Sequence, residues 1–162
     1  MSGLQLTTPT DTSIAMTRSF AAPAALVFDC LTVPELLREW HGADGWTLDV
    51  CEVDLRVGGR WRFEAVGPGG ERMGYGGVYH EVGPPHLLVN SERFDDEWYT
   101  GEALVVAVLD EAAGPDGRPA TTLTTTVTYA SRAVRDSVLA SPMEHGVAEG
   151  YRRLDAVLAA RA

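Results

Sequence analysis

The chain has 162 residues, of which 45% are hydrophobic and 22% charged, and a formal net charge of −10. That is enough length and apolar content for one domain with a real core. The acidic balance and the lack of any basic run argue against nucleic acid as a partner, and against an anionic membrane surface.

The opening, MSGLQLTTPTDTS, has no basic segment followed by an apolar one, so no signal peptide is expected. Residues 1–12 are polar and predict a flexible arm, with a single domain over 13–162. SIAMTRSF places Ile14, Met16 and Phe20 on one side and predicts a strand, with Arg18 breaking the pattern. PAALVFDCLT, opening at Pro23, predicts a short helix. In TVPELLREW, Thr32 and Glu35 have capping-box spacing and Pro34 sits in the first turn, which predicts a second short helix ending near Trp40 and Gly42.

The middle of the chain is strand-rich. WTLDVCEVD would put Trp46, Leu48 and Val50 on one face, and GGRWRFEAV would do the same for Trp61, Phe63 and Ala65. MGYGGVYHEV, HLLVNSERF, EALVVAVLD and TTLTTTVTY continue the series, with turns at Gly67–Glu71, Gly83–Pro85, Asp95–Gly101 and Ala112–Ala120. Such an order predicts an antiparallel meander. From Ser131 the period becomes helical. A short segment is predicted over 131–139 and a main helix over 142–160, whose stripe is Met143, Val147, Tyr151, Leu154 and Leu158. Gly146 and Gly150 lie beside that stripe, where glycine costs roughly 1 kcal/mol relative to alanine. They imply close approach of another element, or space for something bound.

The order of elements resembles the helix-grip fold of the START-like superfamily, in which a curved sheet wraps a long C-terminal helix. AALVFDCLTVPELLREWHG, DLRVGGRWRF, GGVYHEVGPPHLLVN and MEHGVAEGYRRLDAVL are similar to the segments of one branch, the family named after the activator of Hsp90 ATPase. The resemblance covers roughly residues 13–160. It implies an α+β fold: an antiparallel sheet of about six to seven strands around the C-terminal helix, with two short helices after the first strand. It also implies a cavity between sheet and helix.

Chemical motifs are sparse. The pair Gly58-Gly59 suits a tight turn and not a phosphate loop, because no helix follows and GxxxxGK[ST] is absent. Cys30 and Cys51 form no CxxC; they read as buried small residues, and the cytoplasm is the expected compartment. The four histidines show neither HxxxH nor HExxH spacing, so no metal and no cofactor is expected. In EWHGADGW, His41 and Asp44 suggest a catalytic dyad, but GxSxG is absent, and the stretch reads first as a loop pinned by Trp40 and Trp46. The acidic run Phe94–Trp98 reads as a solvated hairpin tip, with Trp98 able to fold back over a cavity mouth; Glu149 and Arg153 read as a helix pair on a solvated face.

Three functions follow. The first is binding of a small apolar molecule, with Trp40, Trp46, Trp61, Phe63, Tyr75, Met143, Val147 and Tyr151 as ligand-binding residues. The alternative is a cavity enzyme of cyclase, dehydratase or hydrolase type, as on relatives of this fold, with His41, Tyr75, Tyr79, His80 or Glu64 as acid/base candidates. The third, an Hsp90-type chaperone partner, is not expected: the eukaryotic co-chaperone has an additional N-terminal domain without counterpart in these residues. Small proteins of the family often pair, so a homodimer is an expectation carried by the resemblance.

Overall fold

Described here is a computed structural model over residues 3–96 and 98–161. Among these residues the chain runs β1 (Gln5–Thr7), β2 (Ser13–Phe20), α1 (Ala24–Thr32), α2 (Pro34–Trp40), β3 (Thr47–Val53), β4 (Arg60–Val66), β5 (Arg72–Gly83), β6 (Leu87–Phe94), β7 (Ala103–Ala113), β8 (Pro119–Thr128), α3 (Arg132–Leu139) and α4 (Met143–Arg161). The strands form one curved, open antiparallel sheet in the order β1-β2-β8-β7-β6-β5-β4-β3. The architecture is the α+β helix-grip fold.

Three local expectations are corrected. The sheet has eight strands, because Gln5–Thr7, expected in a loose arm, pairs with the free edge of β2 in the register Leu6↔Met16. Leu6 is drawn in by packing on the core. The capping box at Thr32 does not form. Val33 caps α2 without a side-chain bond, Pro34 takes the first helical turn, and the Thr32 hydroxyl donates to the Phe28 carbonyl within α1. Along β3 the alternation fails, since a register shift between Leu48 and Val50 turns Cys51 inward, opposite Phe63. A bulge inserts one residue and reverses the facing of everything beyond it.

The Gly58-Gly59 turn joins β3 to β4. Gly58 has φ +82°, and a Cβ on Gly59 would lie 2.0 Å from the Asp54 carbonyl oxygen. Both positions therefore require glycine for backbone reasons, and Arg56 pairs with Asp54 on the surface.

The core is densest where the C-terminal half of α4 meets the sheet and α1. Ile14, Phe20, Val27, Leu109, Leu154 and Leu158 have at most 1% of their surface exposed. Arg18, which interrupts the apolar face of β2, turns out to lock this region. Its guanidinium donates to both carboxylate oxygens of Asp155 on α4, at 2.6 and 2.7 Å, and lies over the Phe20 ring. Only 11% of that side chain is exposed, so the bidentate geometry compensates the desolvation of the charge. Arg135 of α3 acts similarly at the other end, donating to the carbonyls of Thr10 and Ser13.

Candidate functional site

Between the concave face of the sheet and the N-terminal half of α4 lies a cavity of about 580 Å³. Met143, Gly146, Val147, Gly150 and Tyr151 form its helix wall. Met16, Leu48, Met73, Tyr75, Phe94 and Val127 are among the residues of its sheet wall. Trp40, His41, Gly42, Ala43 and Trp46 contribute from the end of α2 and the loop after it. Trp98 lines the cavity too, although 41% of its surface is exposed. The residue of the acidic run expected to fold back is therefore against the cavity, while Glu97 lies outside the described residues.

α4 passes close to the α2–β3 loop. A Cβ on Gly150 would meet the carbonyl oxygens of Gly42 and Trp40 at 3.2 and 3.4 Å, and one on Gly146 would meet Ala43 at 3.4 Å. Gly150 thus serves close approach, whereas Gly146 could carry a Cβ in ordinary contact; both leave the adjacent cavity wall without side chains. Glu149 and Arg153 do not form the solvated helix pair that their spacing suggests. The Glu149 carboxylate accepts from the Asp44 backbone N–H at 3.1 Å, and Arg153 donates to Asp44 and to the Gly42 carbonyl. Together they fasten the loop to the helix. Trp40 anchors its start, donating from Nε1 to the Cys30 carbonyl at 2.8 Å. Gly42 and Gly45 adopt φ of +104° and +85°.

Few polar groups reach the apolar interior. His41 Nε2 lies 2.8 Å from the Tyr75 hydroxyl. Burial, and then the charge of Arg153, hold His41 down at about 4, so the imidazole is neutral at pH 7. Burial pushes the Tyr75 phenol up, so its proton stays on. Asp44 is turned toward Arg153 and Arg152; the His41–Asp44 dyad suggested by their spacing gives way to a His41–Tyr75 pair. The second polar group is Glu92 of β6, whose Oε1 accepts from the Tyr99 hydroxyl at 3.0 Å. Burial pushes its carboxyl up to about 6, against the opposing effect of the Tyr99 bond.

The predicted site residues divide. Trp40, Trp46, Tyr75, Met143, Val147 and Tyr151 stand on the cavity wall. Trp61 and Phe63 do not: they are buried one layer behind, packed edge-on at 4.9 Å, with Trp61 Nε1 donating to the Ser91 carbonyl. Phe63 meets the His41 ring at 5.2 Å and Tyr75 at 5.8 Å, so it supports wall residues. Among the acid/base candidates, His41 and Tyr75 reach the cavity. Tyr79 is buried off the wall, His80 is exposed, and Glu64 pairs with Arg62 on the outer face of β4. Glu92 was not anticipated. Its signal was present: it lies two residues before Phe94, and alternation places both on the inner face of β6.

Cys30 and Cys51 are both free and buried, and burial raises both thiols. Among the described residues no three His, Cys, Asp or Glu side chains converge on a common point, and no helix is long and apolar enough to cross a membrane.

The family model described as Activator of Hsp90 ATPase homolog 1-like protein matches residues 21–159. The chain belongs to that family. A crystal structure of a protein from Rhodobacter sphaeroides is 35% identical, with TM-score 0.89 over 98% of this chain and 99% of the other. One from Mycobacterium smegmatis is 26% identical, with TM-score 0.82 over 97% of each. An HSP90 activator from Plasmodium falciparum, 20% identical over 72% of each chain with TM-score 0.52, shares the fold alone. No curated protein matches this family member.

Proposed function

We propose that this protein binds a small, largely apolar molecule in the cavity under the N-terminal half of α4. The observation that carries the reading is the cavity itself. A space of about 580 Å³ walled by Trp40, Trp46, Phe94, Met143, Val147 and Tyr151 is of the size and character that small ligands occupy. The decisive experiment is native mass spectrometry of the purified protein, paired with titration of the neutral apolar fluorophore N-phenyl-1-naphthylamine. A co-purified mass, or saturable one-to-one fluorophore binding abolished by Val147→Trp, supports the proposal. Absence of both rejects it.

A second reading, a cavity enzyme, is favoured by the hydrogen bond between His41 and Tyr75 on the wall. A neutral imidazole can take a proton from a substrate and a protonated phenol can donate one, which is the equipment general acid–base catalysis needs. This reading requires chemical change of the co-purified molecule that His41→Gln stops while fluorophore affinity is kept. Recovery of that molecule unchanged after long incubation with the protein rejects it.

A further inference from the structure

Glu92 is an acid in an apolar, aromatic setting. Leu88 and Phe94 share its face of β6, and both are buried. Tyr75, Phe94, Trp98 and Tyr129 all line the cavity with it. These rings are in mutual contact: Tyr75 stacks on Phe94 at 4.6 Å, and Tyr99 bridges edge-on to Phe94 and Tyr129 at 5.3 and 5.2 Å. One carboxylate oxygen is held by Tyr99. Among the described residues no ion pair reaches Glu92, and the chain has no lysine. Among the described residues, the other ionisable groups around it are Tyr75, Tyr99 and Tyr129, all kept protonated by burial, neutral His41, and the exposed Glu102. An ionised carboxylate in such surroundings is costly unless a cation meets it. Aromatic rings line the same space, and a ring face that meets a cation attracts it through its quadrupole.

Resting on the small-molecule reading above, we infer that the cavity selects amphiphiles with a cationic head: a protonated or quaternary amine at Glu92 within the rings of Tyr75, Phe94, Trp98 and Tyr129, its apolar part extending toward Met143 and Val147. The net charge of −10 favours approach of a cation over that of an anion. A fatty-acid or phosphate head is disfavoured at this end, where it would face a carboxylate with no arginine to receive it.

The test compares n-octylamine, n-octanol and octanoate, which share one tail, as displacers of N-phenyl-1-naphthylamine at pH 7.5. The amine should displace it at a concentration at least tenfold lower than the alcohol, and octanoate should be the weakest. Glu92→Gln keeps the shape and the Tyr99 bond and should bring amine and alcohol together, leaving octanol unchanged. In the wild type, the advantage of the amine should shrink as the pH falls from 7.5 to 5. Should the variant not fold, that pH series carries the test. An amine no tighter than the alcohol, or a preference that survives Glu92→Gln, overturns the inference while leaving cavity binding intact. If neither the fluorophore nor octanol binds, the small-molecule reading falls and this inference falls with it.

Discussion

The two halves of α4 carry one continuous apolar stripe and do different work. In the C-terminal half, Leu154 and Leu158 are buried to within 1% among Ile14, Phe20 and Val27, and the Arg18–Asp155 pair closes the layer. In the N-terminal half, Met143 and Val147 are only partly buried and face open space, flanked by Gly146 and Gly150. Tyr151 is the boundary between them, edge-on to Phe20 at 5.2 Å on one side and on the cavity wall on the other. The contrast teaches that the solid half can supply the stability that leaves the other half free to remain hollow.

The sharpest way to break this comparison is truncation at matched positions. Leu154→Ala should cost about 2–5 kcal/mol, as buried leucine deletions do, whereas Val147→Ala should cost well under half of that, since it enlarges a space already there. Urea titrations of both variants decide it; equal losses would mean that α4 is packed alike along its length.

A second test uses the acidic limb. His41 is held near 4 in the fold against 6.5 ordinarily. Between those values the unfolded chain binds a proton that the native protein refuses, so stability falls as pH falls from 6.5 to 4. The loss is at most roughly 3 kcal/mol, reduced to the extent that water in the cavity screens the charge. His41→Gln, which can still bond Tyr75, should flatten that limb in denaturation curves measured across pH 4–7.

Glu92 acts with the opposite sign. Its folded pKa of about 6 exceeds the ordinary 4.5. The native protein therefore holds a proton that the unfolded chain releases, and this contribution is lost as pH rises from 4.5 through 6. Glu92→Gln should stabilise the empty protein at pH 7 by up to roughly 2 kcal/mol, screening again reducing the figure. A destabilised variant would place Glu92 in a structural role instead.

The smallest stability effect is expected for Val147→Trp. In a solid core such overpacking costs about 1–3 kcal/mol. Here the indole should enter the cavity at a cost below about 1 kcal/mol, with binding of the apolar fluorophore abolished. A loss of several kcal/mol in the same urea titration would show a packed interior.

Much of this was legible in the chain itself. Periodicity located α4 to within a residue at each end, and alternation placed Trp61, Phe63 and Ala65 on the buried face of β4. Those properties are local: a face is set by the pitch of a helix or the pleat of a strand. The apolar stripe that includes Met143, Val147 and Tyr151 followed directly from that pitch, while a cavity beside it was implied by the family resemblance alone. What needed the tertiary structure was depth and partnership. Burial alone does not tell a residue at a cavity wall from one a layer behind it, so Trp61 and Phe63 looked no different from Tyr75. Asp44 had a histidine three residues away in the chain, yet its partners are Arg152 and Arg153 across the fold. Gly150 has to be glycine because the carbonyls of Gly42 and Trp40 come to meet it across the fold. Glu92 becomes a candidate recognition group only when β6 sets it among rings from β5, the β6–β7 connection and the end of β8. The sequence determined which residues each element offers to the interior; the curvature of the sheet and the close seating of α4 decided which of them meet empty space.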